Sequence, residues 1–558
     1  MKKFICLILC LVTCFSVSAC YTEAPADEGK ESVSTDFDSE QSESDTEAES
    51  EPDPIPTAVI GETVIYMMEG EEYKLNFNVS TTDGKSDGYM SEIQWVSSDP
   101  ETVSVRNGVL TAHRDGYAIV TGGGDEQCVV RVIPREMPTI SVNTNGKPIV
   151  SRDEYTPCLI DMDSTNPAFC FDRVSGEIRY RGNSTYDCGD KKPYRIKFSS
   201  KRNVLGMNEG AECKSWVLLA EYFDNSMVRN STCLSLASAI VTEYTSDWRY
   251  VRFELNGKFI GVFLLAEQAQ INENRVNIEE AGKDSDALES GYMFELDQSP
   301  IVHEIEVKCT DYYFHTLWGK LFDSRTLRYK VENNGLSAAQ MNFINKYMNN
   351  AFDVVYYATY ENKFYALDEN YELVPSDKTN AKDVIAEVLD IESLVRKYIL
   401  DELICNHDAH QKSYYMHVDF SENGNGLLTF SCPWDYDFTM YKWSNDVWEY
   451  EYYDPEAFMQ AKRATWYVMM LNHEWFRDMV TSYWNVLYRD NKQFMRQLDL
   501  IETISDAYAA DFAEDRVLWG RKHAQDQQAQ IVLEWLTTRM NWFNETIAKG
   551  NYLIESKS

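Results

Sequence analysis

Alternating apolar and polar positions begin at about residue 55 and recur in short runs up to about residue 134. This alternation predicts strands with one buried face, because successive side chains of a strand point to opposite sides. Six or seven short strands separated by turn residues are typical of a β-sandwich. The predicted strands are residues 63–67, 73–79, 93–96, 102–105, 109–112, 118–121 and 128–133.

Strand signals continue from about residue 138. Residues 194–198 alternate, so Arg195 and Lys197 share the predicted polar face. Asn256-Gly257 is a strong hairpin signal because this pair favours the tight turns that connect two antiparallel strands. Further predicted strands are 251–255 and 259–265, on either side of that turn, and 291–297.

Helical periodicity dominates the second half of the chain. Apolar residues between 391 and 404 recur at the spacing of an amphipathic helix, and Asp390 suits its N-cap. Residues 461–548 are also predicted to be largely helical, with most of their Trp and Tyr residues in the core. Strands followed by helices predict an α+β fold for residues 138–550.

The N-terminus has the pattern of a secretion signal. Two lysines precede an apolar run over residues 4–17, which is too short to span a membrane comfortably. The sequence that follows, Val17-Ser18-Ala19-Cys20, resembles a bacterial lipobox. We therefore predict a signal peptide over residues 1–19 and lipidation of Cys20, with an ordinary signal peptide as the alternative.

Residues 20–54 form a predicted tether. They are rich in Asp and Glu and have no apolar period, so they cannot bury enough surface to offset the entropy of ordering. No other stretch has enough consecutive apolar residues to cross a membrane. The expected location is the cell surface, at the outer face of the bacterial cytoplasmic membrane, with the lipid as the only membrane contact.

Composition narrows the class of protein further. The 558 residues include 52 Lys and Arg against 90 Asp and Glu, a net charge of −38, which argues against a nucleic-acid partner. Nine of the 13 Cys residues lie beyond the signal and contain no Cys-x-x-Cys pair. We predict that most are buried thiols, since neither a zinc site nor a complete disulfide framework is indicated.

The candidate chemistry lies around a predicted hairpin. Residues 414–420 alternate as a strand, 421–426 form a turn and 427–431 return as a second strand. Because a hairpin brings its two outer ends together, Asp408 before it and Asp435 after it should lie close enough to share a ligand or an ion. Two unrelated loop carboxylates are the alternative.

Paired carboxylates beside one cavity can hold Mg²⁺ against phosphate oxygens, hold Ca²⁺, or act as acid and base. A loop, a hairpin and then an Asp is also the layout of a protein-kinase core, although neither an HRD nor a DFG motif is present. A metal-dependent hydrolase is a third reading of the same stretch. Its candidate residues are His407, Asp408, His410 and His417.

Several motifs occur in a fixed order between about residue 140 and residue 440. They are Arg181-Gly182-Asn183-Ser184-Thr185, Lys191-Lys192-Pro193-Tyr194-Arg195-Ile196-Lys197-Phe198, Leu218-Leu219-Ala220-Glu221-Tyr222, Asn256-Gly257, Glu267-Gln268, Gly291-Tyr292, Asn406-x-Asp408 and Pro433-Trp434-Asp435-Tyr436-Asp437. In this order they resemble the CotH kinase family, the spore-coat-protein-H-like atypical kinases. The resemblance implies an atypical protein-kinase-like domain over residues 138–550, with a strand-rich N-lobe and a helical C-lobe.

The preceding segment carries a second resemblance. Trp95-Val96-Ser97-Ser98-Asp99-Pro100 and Gly108-Val109-Leu110-Thr111-Ala112 are similar to motifs of bacterial immunoglobulin-like domains. The similarity covers residues 55–136 and implies a small all-β sandwich. Such modules usually act as spacers or weak adhesins.

The family resemblance implies roles for the acidic residues. Asp408 would be the catalytic residue that orients the acceptor hydroxyl and accepts its proton. Asp435 would bind the Mg²⁺ or Mn²⁺ that accompanies ATP, with Asp437 as a second ligand or a structural partner.

The resemblance also implies nucleotide contacts. Lys197 would reach the ATP phosphates, with Lys192 as a competitor and an exposed strand lysine as the alternative. The turn Arg181-Gly182-Asn183-Ser184 would face the phosphates. Glu267 and Gln268 would approach the base or pair with a lysine, with a surface salt bridge as the alternative.

One position departs from the family pattern. Many members carry Asn five residues after the catalytic-loop Asp, whereas this chain has Ser413, whose hydroxyl is a weaker metal ligand. The departure leaves open a pseudokinase that binds without turnover.

The leading prediction is a surface-anchored kinase that transfers the ATP γ-phosphoryl group to Ser or Thr of a secreted or surface protein. The alternative is a catalytically weak pseudokinase that serves as a surface binding or scaffold protein. Aromatic residues in 441–453 suit stacking on cell-wall polysaccharide, although core packing is the better expectation. They are Tyr441, Trp443, Trp448, Tyr450, Tyr452 and Tyr453.

Overall fold

The computed structural model describes residues 56–81, 92–282, 285–298, 305–309, 312–442, 451–489 and 493–553. The predictions for the signal peptide, the lipidation of Cys20 and the acidic tether lie outside the described residues, as do those for Trp443, Trp448 and Tyr450. The described residues belong to one unit.

Nine short strands lie before residue 134 among the residues that the structure describes. They are β1 (Pro56–Ile60), β2 (Val64–Met68), β3 (Glu72–Lys74), β4 (Phe77–Thr81), β5 (Trp95–Ser97), β6 (Val103–Arg106), β7 (Val109–Ala112), β8 (Gly116–Gly122) and β9 (Gln127–Ile133). They pair in the orders β1-β4, β2-β9-β8-β5 and β3-β7-β6. The alternating residues of these strands enclose a separate small core that includes Ile65, Val103, Leu110, Val120 and Val130.

The prediction of one strand over residues 73–79 is wrong. The segment divides into β3, which pairs with β7, and β4, which pairs with β1. Pairing with two different partners breaks the run at Leu75, which is buried in the small core. The sequence pattern also missed β1, whose apolar residues are interrupted by Thr57.

A closed barrel of seven strands follows. Its strands are β10 (Thr139–Asn143), β11 (Thr156–Asp163), β12 (Phe171–Tyr180), β13 (Tyr194–Arg202), β14 (Cys213–Leu219), β15 (Trp248–Leu255) and β16 (Lys258–Glu267), in the order β10-β11-β12-β13-β14-β16-β15. The hairpin predicted at Asn256-Gly257 joins β15 and β16. Alternation directs Ile178, Ile196 and Trp216 into the barrel core, so the charged residues between them face outward.

A five-stranded sheet forms the second β layer. Its strands are β17 (Gly291–Leu296), β18 (Ile305–Val307), β21 (Leu327–Val331), β24 (Tyr414–Asp419) and β25 (Thr429–Phe430), in the order β18-β21-β17-β24-β25. The remaining strands form three two-stranded pairs. These are β19 (Phe314–His315) with β20 (Leu321–Phe322), β22 (Tyr365–Leu367) with β23 (Leu373–Pro375), and β26 (Tyr441–Lys442) with β27 (Glu451–Tyr452).

Helices concentrate in the second half, as the apolar periodicity predicts. They are α1 (Ser184–Cys188), α2 (Arg229–Ile240), α3 (Ala338–Tyr356), α4 (Ala381–Ile385), α5 (Ile391–Leu403), α6 (Thr465–Met470), α7 (Glu474–Arg489), α8 (Gln493–Ala507), α9 (Ala509–Trp519) and α10 (Gln525–Thr546). Asp390 caps α5, because its side chain accepts a hydrogen bond from the Ser393 N–H. The mixed α+β class is thus confirmed, and among the described helices none is long and apolar enough to traverse a bilayer.

The N-terminal strands pack against the barrel through a buried polar cluster, called here the interface cluster: Tyr66, Arg131, Asp247 and Arg249. Tyr66 donates a hydrogen bond to Asp247 at 2.9 Å and accepts one from Arg131 at 2.8 Å. Arg249 pairs with Asp247 at 2.9 Å, and all four residues are buried. Since these strands share a buried charge network with the barrel, they are an integral part of its packing.

Candidate active site

A cleft of about 700 Å³ opens between the barrel and the five-stranded sheet. Its lining is unusually rich in charge of both signs. The cationic residues are Arg152, Arg179, Arg181, Arg195, Lys330 and Lys412, and the acidic ones are Asp153, Asp187, Glu295, Asp297, Asp435 and Asp437. The barrel strands and the loops between them supply four of the six cations, and the opposite side supplies four of the six acids.

The predicted hairpin is present at the acidic side of the cleft. Strands β24 and β25 pair antiparallel, with Met416 opposite Phe430 and His417 opposite Thr429. The residue before β24, Ser413, donates a hydrogen bond through Oγ to Asp435 Oδ2 at 2.8 Å. The two outer ends of the hairpin therefore meet, as the sequence spacing predicts, and Asp408 lies close enough to Asp435 for their charges to interact.

Asp408 is held in a buried loop. It lies in the short turn Asp408–His410 and is 2% exposed. Gln411 Nε2 donates to Asp408 Oδ1 at 3.2 Å, and Lys412 Nζ lies 3.5 Å from Oδ2. Burial, augmented by the charge of Asp435 and opposed by Lys412, raises the pKa of Asp408 to about 6. The group is therefore a carboxylate at neutral pH but holds its proton more tightly than an exposed Asp.

Hydrogen bonds to α2 hold the loop that carries Asp435 and Asp437 in place. The Tyr436 N–H donates to Asn230 Oδ1 at 2.8 Å, and Asn230 Nδ2 donates to Glu221 Oε1 at 3.0 Å. Asp435 has a φ of +66°, a left-handed conformation that is strained for a residue other than glycine. Asn230 thus helps to hold an unfavourable backbone geometry that directs Asp435 into the cleft.

Asp437 is buried among other carboxyl groups. It is 7% exposed, and its pKa is raised well above the usual value, first by burial and then by Asp435, Glu221 and Asp408. Lys412 opposes this shift. We call Asp408, Asp435 and Asp437 the acidic floor, because their like charges converge beside a single lysine.

The family resemblance implies a divalent cation beside the acidic floor. Within the described ranges, no group of three or more His, Cys, Asp or Glu side chains is arranged to hold a metal ion. Mg²⁺ commonly takes only one or two protein carboxylates and completes its shell with water and phosphate oxygens. Asp408 Oδ2 has Lys412 at 3.5 Å but no hydrogen-bond donor among the described residues, and the carboxyl groups of the acidic floor repel one another, so both features fit such a cation.

The histidines near the acidic floor are engaged elsewhere. His407 Nδ1 is hydrogen bonded to the Tyr453 hydroxyl at 2.6 Å, and His410 Nδ1 to the His407 carbonyl at 2.8 Å. His417 Nδ1 contacts Ser431 Oγ at 2.7 Å. These contacts tie the loop to its surroundings and give no support to the hydrolase reading.

The opposite side of the cleft is a cationic wall, formed by Arg152, Arg179, Arg181 and Arg195. The guanidinium carbon of Arg181 lies 5.5 Å from the centroid of the Trp434 ring. Trp434 immediately precedes Asp435 in the sequence. Burial lowers the pKa of Arg195, with Arg179 and Arg181 adding to the shift and Tyr155 opposing it. Guanidinium groups held together in this way favour an anion that would relieve their repulsion.

The predicted nucleotide contacts divide into two sets. Arg181, Asn183 and Gln268 line the cleft, and Gln268 Oε1 is buried with no hydrogen-bond partner among the described residues. Arg152 donates to the Gly182 carbonyl at 2.8 Å and to Asn183 Oδ1 at 3.3 Å, which holds the predicted phosphate-facing turn against the wall.

The other predicted contacts lie away from the cleft. Lys192 donates to the Tyr186 carbonyl, and Lys197 pairs with Glu177 at 3.3 Å in an adjoining cavity. Glu267 is fully buried and pairs with Arg275 at 3.3 Å. Its carboxylate is a structural partner in this geometry.

Sequence reasoning missed several residues that shape the site. Lys191 is buried against Asp515 at 2.6 Å, and burial lowers its pKa to about 8 although Asp515 opposes the shift. Glu221 and Asn230 belong to motifs of the family resemblance, but their spacing alone indicates no role for either residue. Lys412 could have been found, because its i,i+4 spacing from Asp408 is a standard ion-pair signal.

The comparison with known families adds an independent finding. A family model described as CotH kinase protein matches residues 178–543, a span that contains the acidic floor and most of the cationic wall. No curated protein matches the chain.

Proposed function

The chain belongs to the CotH kinase family, and from this premise we propose that it is an ATP-dependent atypical protein kinase. Its acceptor would be a Ser or Thr hydroxyl of a secreted or cell-surface protein. The N-terminal lipobox-like sequence supports anchoring through Cys20 at the outer face of the cytoplasmic membrane.

One observation carries the proposal: Asp435 and Asp437, which form no ion pair with an arginine in the described part of the chain, line the same cleft as the cationic wall, and the charge of buried Asp408 acts on both. A triphosphate with a divalent cation has the complementary arrangement, since the cation matches the carboxylates and the phosphate oxygens match the guanidinium groups. The cleft volume of about 700 Å³ lies in the range of small-molecule sites.

The residues of the acidic floor would divide the work. Asp435 and Asp437 would hold Mg²⁺ or Mn²⁺, which neutralises phosphate charge when bound. Asp408 would orient the acceptor hydroxyl and accept its proton, and a pKa of about 6 keeps it ionised at neutral pH while it remains basic enough for that task.

Nucleotide binding is assigned to the residues that line the cleft. Arg181 would contact the phosphates, and Asn183 and Gln268 would supply polar contacts. Lys192 and Glu267 are left out of this assignment, because each is engaged with a neighbouring group outside the cleft.

The test is transfer of radiolabelled phosphate from ATP to casein in the presence of Mn²⁺ or Mg²⁺. We expect Asp435→Asn to reduce transfer at least about 100-fold, because a cation ligand and a cleft charge are both lost. Asp172→Asn, at an exposed position of β12, is the matched control. Transfer that survives Asp435→Asn would remove the assignment.

The contact between Ser413 and Asp435 supports the pseudokinase alternative. The Ser413 hydroxyl occupies the position of the usual family Asn and donates to Asp435 Oδ2. This contact uses one acceptor site of a proposed cation ligand. A Mn²⁺-dependent thermal shift with ATP, together with no transfer by wild type or by Ser413→Asn, would favour a binding or scaffold role.

A further inference from the structure

A second cavity, called here the side cavity, adjoins the cleft on the outer face of β12 and β13 and has a volume of about 430 Å³. Arg152, Arg179 and Arg195 line both cavities. Lys197 and Tyr155 line only the side cavity. The cationic wall thus continues past the cleft into a separate space.

Strand register explains why the charges gather there. Arg179 lies directly opposite Arg195, and Glu177 lies directly opposite Lys197. Directly opposed residues of an antiparallel pair share one face, and like charges in that arrangement are destabilising. The chain therefore maintains an unfavourable Arg179–Arg195 pair on this outer face.

Compensation of the positive charge is weak. Asp153 is the acid among the described residues that line the side cavity, and the Lys197–Glu177 pair is about 40% exposed on both sides, so solvent screens it. Arg179 and Lys197 lie over the same Tyr155 ring at 5.0 and 5.5 Å. The Nε atoms of Arg179 and Arg195 are buried without a hydrogen-bond partner in the part of the chain that the structure describes.

Resting on the proposed kinase function, we infer that the side cavity binds an anionic side chain of the protein acceptor, close in sequence to the hydroxyl that is phosphorylated. The side cavity shares the cationic wall but contains none of the acidic floor. An anion there would face the guanidinium groups directly, without a cation held by Asp435 and Asp437. This position suits a carboxylate or phosphoryl group of the acceptor better than the nucleotide triphosphate.

The test measures peptide binding without nucleotide, so that it stays readable even if phosphoryl transfer is never observed. Fluorescein-labelled peptides with one Ser flanked by four Glu, four phosphoserine, four Gln or four Lys residues are titrated by anisotropy. We expect the Glu and phosphoserine peptides to bind about tenfold more tightly than the Gln peptide, and the better of the two identifies the preferred group.

Variants then locate the binding site. Lys197→Gln should abolish most of the preference for the anionic peptides, whereas Lys258→Gln, an equal charge change at the exposed tip of the β15–β16 hairpin, should retain it. Equal affinity for the Gln and Glu peptides, or tighter binding of the Lys peptide, would overturn the inference. Loss of the ATP-induced thermal shift in Lys197→Gln would also overturn it, because Lys197 would then belong to the nucleotide site.

Discussion

Two regions of this protein bury acidic side chains in opposite ways. In the interface cluster, Asp247 is surrounded by donors: burial would raise its pKa, but Arg131, Arg249 and backbone N–H groups lower it overall. In the acidic floor, Asp408 and Asp437 are equally buried, yet neighbouring carboxylates add to burial and raise their pKa values.

The difference separates a structural charge from a functional one. A buried carboxylate with matched guanidinium partners contributes to stability only while every partner is present. A buried carboxylate that faces other carboxylates is destabilising by itself and is retained for a ligand that compensates it. A buried aspartate therefore indicates structural packing in the interface cluster and ligand binding in the acidic floor.

The largest expected effect is on the structural side of this comparison. Asp247→Ala should reduce the free energy of unfolding by about 3–5 kcal/mol, because Arg249 would remain buried without its acid and Arg131 would keep only its pair with Glu209. Urea denaturation followed by tryptophan fluorescence measures the change. Asp435→Asn, which removes a charge from the acidic floor, should stay within about 1 kcal/mol of wild type. Similar losses in both variants would erase the distinction.

A second expected effect concerns pH. Burial first, and Asp224 next, raise the pKa of Glu221 to about 8 from a value of 4.5 for an ordinary glutamate. Between these values the folded protein keeps a proton that the unfolded chain releases, so the free energy of unfolding falls as pH rises. Glu221→Gln should therefore gain on the order of 2 kcal/mol relative to wild type between pH 5 and pH 8.

Urea denaturation of Glu221→Gln and wild type at pH 5, 6.5 and 8 checks this expectation. Glu212→Gln, at an exposed position, serves as the matched control and should follow wild type at every pH. A constant difference between Glu221→Gln and wild type across the range would show that the folded protein does not hold the extra proton.

The smallest expected effect tests a single link of the interface cluster. Tyr66→Phe removes the hydroxyl between Asp247 and Arg131 but leaves the ring stacked on Trp248 at 5.2 Å. The hydroxyl makes two buried hydrogen bonds, but Arg131 and Asp247 keep their own ion pair at 3.6 Å without it, so we expect a net loss of only about 1 kcal/mol in the free energy of unfolding. A loss as large as that of Asp247→Ala would mean that the hydroxyl, and not the ion pairs, holds the cluster together.

The features that the sequence predicts well are local ones. The hairpin between Asp408 and Asp435, the turn at Asn256-Gly257 and the Asp390 cap each depend on residues within about thirty positions of one another. Periodicity and turn chemistry act over this distance, so the convergence of the two aspartates followed from spacing alone.

The features that escaped prediction depend on distant partners. Lys191 is buried because Asp515 on α9, 324 residues later, meets it inside the fold. Glu267 turns away from the cleft because Arg275 and the Asp247 backbone engage it, whereas its neighbour Gln268 faces the cleft. Alternation identifies which residues share a face of a strand, but it cannot say which of two faces meets the ligand.

The attachment of the N-terminal strands to the barrel limits how this architecture can be rebuilt. In a chimera that exchanged residues 56–133 for another β-module, Asp247 and Arg249 would stay buried but Asp247 would lose its hydrogen bond from Tyr66. The replacement would have to present a phenol and a guanidinium at the places of Tyr66 and Arg131. Modular swapping at this junction therefore requires matched buried polar side chains at these two positions as well as a suitable linker.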